Sequence, residues 1–141
     1  MSFRDISHIA GSAMAAQTVR LNTIASNLAN ADSASGTEAG AYHARKPVFA
    51  TVMADGAFGE GARGAGAVQV LDVVESTEPL RKVHEPGNPL ADAEGMVFYP
   101  NVNPVAEMTD MMSASRAFET NVEVLGRVNA MQQSLLKLGE G

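Results

Sequence analysis

The feature that most constrains this fold is the distribution of proline along the chain. All six prolines lie between residues 36 and 104, together with most of the glycines. Because proline is excluded from helix interiors, long helices are possible only before and after this window. The sequence therefore predicts an α+β fold, with an N-terminal helix (residues 1–31), a small central β-rich domain (32–103) and a C-terminal helix (104–141). We expect the two long helices to pair in a coiled-coil-like arrangement.

The first flank has the apolar spacing of a helix from about residue 3 to residue 30. Its apolar residues recur at three- and four-residue steps, as in a coiled coil, at Phe3, Ala10, Met14, Leu21, Ile24 and Leu28, with polar interruptions at Ser7 and Gln17. Ser2 can cap the start of this helix, with Asp5 three residues later. Asn30 tolerates the left-handed conformation that often ends a helix. The stretch LNTIASNLANADS, residues 21–33, carries three asparagines and almost no charge, which calls for an explanation.

The second flank begins at Asn103-Pro104, an N-cap residue followed by proline at the first helical position. Its predicted seam consists of Met108, Met111, Ser115, Phe118, Val122, Leu125, Asn129, Gln132 and Leu136. A neighbouring apolar stripe consists of Val124, Val128, Met131, Leu135 and Leu138. Two adjacent stripes predict contacts on more than one side of the helix. Gly126 either allows a neighbour to approach closely or is a tolerated surface glycine.

Helices of these lengths exceed the size of the globule that the chain can form. At about 1.5 Å per residue they would extend about 42 and 52 Å, whereas a compact domain of this length is about 37 Å across. We therefore expect them to project beyond any shared core and to bury their second faces against neighbouring subunits. In the monomer, we expect about residues 1–30 and 110–141 to be largely disordered and to become helical on assembly.

The central segment contains three predicted strands separated by turn residues. Residues 48–53, 68–74 and 96–99 are rich in β-branched or aromatic side chains. Between the first two strands, Gly56 to Gly66 reads as an exposed loop without chemistry. It includes a GxGxxG match at residues 59–64, which we reject as a dinucleotide site because a strand pattern, not a helix, follows it.

Composition argues against several classes of function. The absence of cysteine excludes disulfides, thiolate metal sites and a cysteine nucleophile. A net charge of -6 with ten scattered Lys and Arg argues against nucleic acid. Neither a membrane-spanning run of about 18 apolar residues nor an ordinary cleaved secretory signal is expected.

No candidate catalytic or metal site emerges from the polar residues. Asp92 and Glu94 lack a nearby base or nucleophile and read as an acidic loop. The histidines lie in separate segments without zinc-ligand spacing, at His8, His43 and His84. We therefore predict no enzyme activity, no cofactor, no metal and no small-molecule substrate.

Four stretches of the sequence resemble one protein family. Ala25-Ser26-Asn27-Leu28-Ala29-Asn30 is similar to the N-terminal signature of the bacterial flagellar rod, hook and hook-filament junction proteins. Three more stretches narrow the resemblance to proximal-rod members: PLAD at residues 89–92 with Gly95, YPNVN at 99–103, and SASRAF at 113–118 followed by NVEVL at 121–125. The match covers nearly the whole chain in order, although Phe118 replaces an expected tyrosine.

This resemblance implies a structural subunit of the proximal rod of the flagellar basal body, part of the drive shaft that transmits torque to hook and filament. The implied partners are other copies of the chain, the neighbouring rod proteins FlgB, FlgF, FlgG and FliE, and the flagellar type III export apparatus. The implied location is the rod across the periplasm, reached without a cleaved signal peptide. Family members pair their terminal helices in an inner tube and place the central segment outside.

Enclosure by neighbouring helices would explain the uncharged asparagines, because amides can be satisfied by hydrogen bonds where charges would have to be desolvated. A solvated helix face or an end cap explains each asparagine singly, but we favour assembly for the set. The predicted assembly interface comprises Met14, Leu21, Asn22, Ile24, Asn27, Leu28, Asn30, Met108, Met111, Phe118, Asn121, Val122, Leu125, Asn129 and Leu136. The competing hypotheses are a soluble helical adaptor or export chaperone, and a small hydrolase or cofactor-binding enzyme.

Overall fold

Two helices and four strands form the part of the chain that the computed structural model describes, residues 2–53 and 66–139. In chain order they are α1 (Phe3–Ala29), β1 (Arg45–Met53), β2 (Gly66–Glu75), β3 (Arg81–His84), β4 (Met96–Tyr99) and α2 (Pro104–Gly139). The predicted α+β class, with two long terminal helices and a small β-rich centre, is confirmed. The predicted loop at 56–66 and its GxGxxG match lie outside the described residues, except for Gly66, which begins β2.

Both helices begin at the capping residues that the sequence predicts. The N–H of Asp5 donates to the Ser2 hydroxyl (3.2 Å), and the Ser2 N–H donates to the Asp5 carboxylate (2.7 Å). The hydrogen bond from the Ser2 N–H, followed by the interaction with the Ser2 hydroxyl, lowers the pKa of the Asp5 carboxyl below its ordinary value. At the start of α2, Asn103 Oδ1 accepts from the N–H groups of Val105 (3.1 Å) and Ala106 (3.3 Å). Local polar chemistry therefore fixes both helix starts.

The end of α1 differs from the prediction. Among the described residues no non-glycine residue has a positive φ, so the expectation of a left-handed Asn30 is wrong. Instead, the Asn30 side-chain amide donates to the Ser26 carbonyl (2.8 Å), and the N–H of Ala31 donates to the Leu28 carbonyl (3.3 Å). The helix thus ends by tightening into a turn, with Asn30 bonding back to the preceding turn.

The strands form two separate pairs, β1 with β2 and β3 with β4. β3 and β4 are antiparallel, with Arg81 opposite Tyr99 and His84 opposite Met96. The sequence analysis missed β3, because Arg81–His84 contains only one β-branched residue, Val83. Its strand conformation depends on β4, where the Arg81 guanidinium lies over the Tyr99 ring at 4.9 Å.

The chain divides into two compact units. The central unit comprises Arg20–Pro47 and Val73–Met112, and the terminal unit comprises Met1–Val19, Val48–Asp72 and Ser113–Gly141. Each unit contains part of both long helices, so these units cut across the three segments drawn from the sequence. The grouping of the two helices into one inner-tube domain stays a prediction.

The two units have different buried residues. In the central unit the buried apolar residues are Ile24, Ala31, Ala41, Ala44, Leu80 and Val97, accompanied by the polar Thr23 and Asn27. In the terminal unit they are Ala10, Ala16, Ala114 and Val128. On α2, Ala114 and Val128 are buried, and the seam residues Phe118 and Leu125 on the same side are half-buried, whereas Met108, Val122 and Leu136 of the predicted seam are exposed. The face that this chain buries therefore lies between the predicted seam and the neighbouring stripe, which contains Val128.

Candidate assembly site

Asn27 is the most extensively bonded side chain of the signature in α1. It is only 1% exposed, and its Nδ2 donates to the Arg45 carbonyl (2.8 Å). Its Oδ1 accepts from the Arg45 N–H and from the Tyr42 hydroxyl, both at 2.9 Å. The amide thereby satisfies both backbone groups of the first residue of β1. Sequence reasoning assigned Asn27 to contacts with other subunits, but its polar bonds are made within the chain.

A second asparagine holds the segment just before β1. Asn101 Oδ1 accepts from the Ala44 N–H (2.7 Å), and its Nδ2 donates to the Glu78 carbonyl (2.8 Å). The Ala44 carbonyl in turn accepts from the Ser76 N–H (2.7 Å). Asn101 belongs to the YPNVN stretch that carries the family resemblance. Asn27 and Asn101 therefore fix adjacent residues at the entrance to β1.

A backbone bridge joins the segment after α1 to β4. Ser35 and Phe98 exchange both N–H to carbonyl hydrogen bonds, each at 2.9 Å. Next to this bridge, a Cβ on Gly36 would lie 2.7 Å from the Leu90 carbonyl oxygen. A side chain is therefore excluded at Gly36 unless the backbone moves.

The PLAD stretch forms a turn stabilised by Asp92. Its Oδ1 accepts from the N–H groups of Glu94 (2.9 Å) and Met96 (2.8 Å). Gly95 within this turn has φ of 77°, a conformation that favours glycine. Asp92 is thus a structural turn residue that sets the start of β4.

An ion pair joins the two long helices within the central unit. Arg20 Nε of α1 donates to Asp110 Oδ2 of α2 (3.1 Å), and a second guanidinium nitrogen bonds the other carboxylate oxygen. Bidentate geometry makes this pair more specific than a single contact. Both side chains are partly exposed, so its contribution to stability is roughly 1 kcal/mol or less. This ion pair was not predicted from the sequence.

The predicted interface residues fall into three groups. Two are buried within the chain, Ile24 and Asn27. Eight are half-buried: Met14, Leu21, Leu28, Asn30, Met111, Phe118, Asn121 and Leu125. Five are exposed: Asn22, Met108, Val122, Asn129 and Leu136. The exposed group is available to another chain, and the role of the whole set in assembly stays a prediction.

The terminal unit exposes many large apolar side chains, several of which the predicted interface omitted. They are Val48, Phe49, Val52, Met53, Leu71, Val122, Met131, Leu135, Leu136 and Leu138. Three of them, Met131, Leu135 and Leu138, follow one stripe of α2 at steps of four and three. Leu136 and Leu138 are 69% and 78% exposed. This density of exposed apolar groups is typical of a surface that other chains cover. In the sequence, the signal for this exposed surface was the apolar stripe of α2 that contains Met131, Leu135 and Leu138.

Two further features of the described residues are a polar cavity and the composition of the two helices. A polar cavity of about 450 Å³ in the central unit is lined in part by Ser33, Ser35, Tyr42, His43, Arg45 and Glu75. Arg45 and Glu75 form an ion pair at 3.3 Å. In residues 2–53 and 66–139 no cluster of His, Asp or Glu is arranged to hold a metal ion. Neither described helix is both long and apolar enough to cross a membrane. Apart from the adjacent residues and the backbone of α2 itself, no atom of the described residues lies within 4 Å of the position that a side-chain Cβ at Gly126 would occupy, so no close approach within this chain requires glycine there.

Comparison with known proteins identifies the family. The chain is 50% identical over 140 residues to the flagellar basal-body rod protein FlgC of Escherichia coli O6:H1, covering 99% of this chain and 100% of that protein. The chain belongs to the FlgC family. FlgC of Salmonella typhimurium is 49% identical over 140 residues, with the same coverage. FlgC of Bacillus subtilis is 32% identical over 144 residues, covering 94% of this chain and 95% of that protein.

Two family models match the ends of this FlgC-family chain. The model described as flagella basal body rod protein matches residues 8–36, and the model described as flagellar basal body rod FlgEFG protein C-terminal matches residues 93–138. The first segment contains Asn27 and the second contains Gly95 and Asn101. The family indicated by the sequence motifs is confirmed, and the chain is a structural subunit of the flagellar basal-body rod. This favours the rod subunit over the adaptor, chaperone and enzyme hypotheses.

Proposed function

We propose that this chain forms part of the proximal rod, within the axial drive shaft that transmits torque to the hook and filament. Its full-length similarity to FlgC proteins is the observation that carries the proposal. The proposed partners are further copies of the chain, the rod proteins FlgB, FlgF, FlgG and FliE, and the flagellar type III export apparatus. The proposed location is the rod where it crosses the periplasm. The proposed role is structural, without catalysis.

The exposed apolar surface of the terminal unit supports assembly with other chains. Fully burying one large apolar side chain contributes about 1.5–3 kcal/mol. The stripe of Met131, Leu135 and Leu138 alone could therefore supply several kcal/mol to a contact between subunits. We propose that such a contact joins unlike surfaces of successive subunits, as a rod requires. Contacts of that kind build open helical arrays.

A deletion strain tests the proposal. Without this chain, the bacterium should lack flagella and retain hook subunits inside the cell, and a plasmid copy should restore both. A plasmid carrying Leu135→Asp should restore neither, because a charge would be buried in the subunit contact without a partner. Gln133→Asp, two residues away and also exposed, should restore swimming. A deletion strain with normal filaments would contradict the proposal.

A further inference from the structure

We propose that Asn101 is a positioning residue that sets the register of α2 against α1 within the central unit, and that assembly of the subunit depends on this register. The register is the position of one helix along the axis of the other. The helix parts concerned are residues 20–29 of α1 and 104–112 of α2. The assembly half of the proposal rests on the proposed function, whereas the register can be measured on the chain alone.

The backbone polar groups of Ala44 and Arg45 are all hydrogen-bonded, and these two residues form the junction on which Asn101 acts. The Ala44 N–H donates to Asn101 Oδ1 (2.7 Å), and the Ala44 carbonyl accepts from the Ser76 N–H (2.7 Å). The Asn27 amide of α1 holds Arg45 at both its N–H (2.9 Å) and its carbonyl (2.8 Å). The end of α1 and the approach to α2 are therefore held on consecutive residues.

The second bond of the Asn101 amide holds the connection into α2 from the other side. Nδ2 donates to the Glu78 carbonyl (2.8 Å), so the side chain is fixed between two segments of the chain. Residues 100–103 connect β4 to α2, which begins at Pro104 with Asn103 as its cap. Because this connection is short, a displacement of Asn101 displaces the first turn of α2 with it.

Apolar packing does little to position α2 within the central unit. The buried residues of α2, Ala114 and Val128, belong to the terminal unit, and among the described residues none from 104 to 112 is buried. Val105 and Met108 are 73% and 57% exposed. Interlocked side chains ordinarily oppose the sliding of one helix along another. Where they are missing, polar contacts set the register.

The Arg20 to Asp110 ion pair is a second polar contact between the same helix parts. Arg20 lies about two turns before Asn27, or about 10 Å along the axis of α1. Both side chains of the pair are flexible and partly exposed, so they can follow a small displacement of α2. The short Asn101 amide is bonded to backbone groups and cannot. We therefore assign the stricter control of the register to Asn101.

Spin labels on two exposed residues of the central unit report the register in the purified full-length chain. The labels are attached at Asn22→Cys in α1 and Met108→Cys in α2, and the chain contains no other cysteine. Electron paramagnetic resonance should give one narrow distribution of label-to-label distances in the parent. Asn101→Ala should shift or broaden this distribution by about 5 Å, the rise of one helical turn.

Two further variants separate positioning from simple stabilisation. Asn103→Ala removes the cap of α2 and lowers the urea midpoint without changing the junction, so it should leave the distance distribution unchanged. Asn101→Asp keeps the acceptor for the Ala44 N–H and loses the donor to the Glu78 carbonyl. It should keep the distance of the parent, which tests the junction even if Asn101→Ala does not fold.

The assembly half is tested in the deletion strain. A plasmid carrying Asn101→Ala should give at least about tenfold fewer flagella per cell than the parent plasmid, because a displaced helix no longer fits its neighbours. Asn103→Ala should give close to the parental number.

Each contrary result has a separate meaning. An unchanged distance in Asn101→Ala, or an equal change in Asn103→Ala, would overturn the positioning role. A changed distance with the parental number of flagella would overturn the dependence of assembly on the register. Neither result alters the phenotype of the deletion strain, so this inference and the proposed rod function can fail independently.

Discussion

The side chain of Asn27 forms two hydrogen bonds with the backbone of Arg45. The amide of this helical residue bonds both the N–H and the carbonyl group of Arg45, as a neighbouring strand would. Nδ2 donates to the Arg45 carbonyl at 2.8 Å and Oδ1 accepts from the Arg45 N–H at 2.9 Å. An uncharged amide can do both at once, whereas a carboxylate or an ammonium group cannot. This explains why position 27, near the end of α1, carries an uncharged amide.

Replacing Asn27 by alanine should destabilise the central unit by about 1–3 kcal/mol, because the N–H and carbonyl groups of Arg45 lose their hydrogen-bond partner. Urea unfolding followed by tyrosine fluorescence measures this directly. The chain has two tyrosines and no tryptophan, and both tyrosines, Tyr42 and Tyr99, belong to the central unit. The exposed Asn22→Ala serves as control and should change the free energy of unfolding by less than about 0.5 kcal/mol. Equal effects of the two substitutions would refute the role assigned to Asn27.

Gly36→Ala should destabilise the chain by about 1–3 kcal/mol, since the added Cβ meets the backbone oxygen of Leu90. Gly87→Ala is the matched control, because a Cβ there meets nothing within 4 Å. We expect the control to be neutral or slightly stabilising. The urea concentrations at the unfolding midpoints of the two variants and the parent test this prediction. A Gly36→Ala protein as stable as the parent would show that Gly36 and the Leu90 carbonyl lie farther apart in solution.

Stability should decline in alkaline solution in a manner that depends on Tyr99. Burial, together with the Glu85 carboxylate that accepts its hydrogen bond at 3.1 Å, raises the pKa of Tyr99 above the ordinary value of 10.0. The folded chain therefore holds this proton more tightly than the unfolded chain. Its contribution to stability is complete below about pH 10 and is lost as the pH rises from there through the folded pKa.

The test compares unfolding free energies of the parent and Tyr99→Phe proteins, measured by circular dichroism at several pH values from about 9 upward. The parent should lose more stability than the variant over this range. Glu85→Gln should also reduce the loss, because it removes the charge that opposes ionisation of Tyr99. If the free energy of unfolding changed equally with pH in the parent and in Tyr99→Phe, the pKa of the Tyr99 phenol would be the same in the folded and unfolded chains, and the prediction would be wrong.

Local signals in the sequence predicted the helices well. The N-caps Ser2 and Asn103, and the spacing of apolar residues, placed α1 and α2 within about two residues of their observed ends. Features that depend on distant residues were missed. β3 is a strand because β4 pairs with it, and the bonds of Asn27 became visible only when Arg45, 18 residues later, was placed beside it.

The buried face of α2 was predicted only in part. Ala114 contributes almost nothing to an apolar-periodicity count, so the prediction placed the seam on one side of this residue and the stripe that contains Val128 on the other. Of the large side chains in the seam, Met108 and Val122 are exposed in the single chain, whereas Phe118 and Leu125 are half-buried. A periodic apolar pattern shows that a face will be covered, but it does not distinguish cover by the same chain from cover by another.

This FlgC-family chain is a rod subunit, and we propose that its exposed apolar surface is covered by other subunits. Because the chain contains no cysteine, single cysteines introduce unique labelling sites. Leu135, which is 55% exposed, is the probe site, and the exposed Glu94 in the Asp92 turn is the control. Both substitutions should first be shown to support swimming in the deletion strain.

Maleimide labelling of Leu135→Cys and Glu94→Cys, in the purified monomer and in isolated basal bodies, is the most direct measurement. We predict that both cysteines react in the monomer, and that in basal bodies Leu135→Cys is protected at least about tenfold while Glu94→Cys stays reactive. Absence of the chain from the basal bodies, or equal labelling of Leu135→Cys in monomer and basal body, would contradict the account.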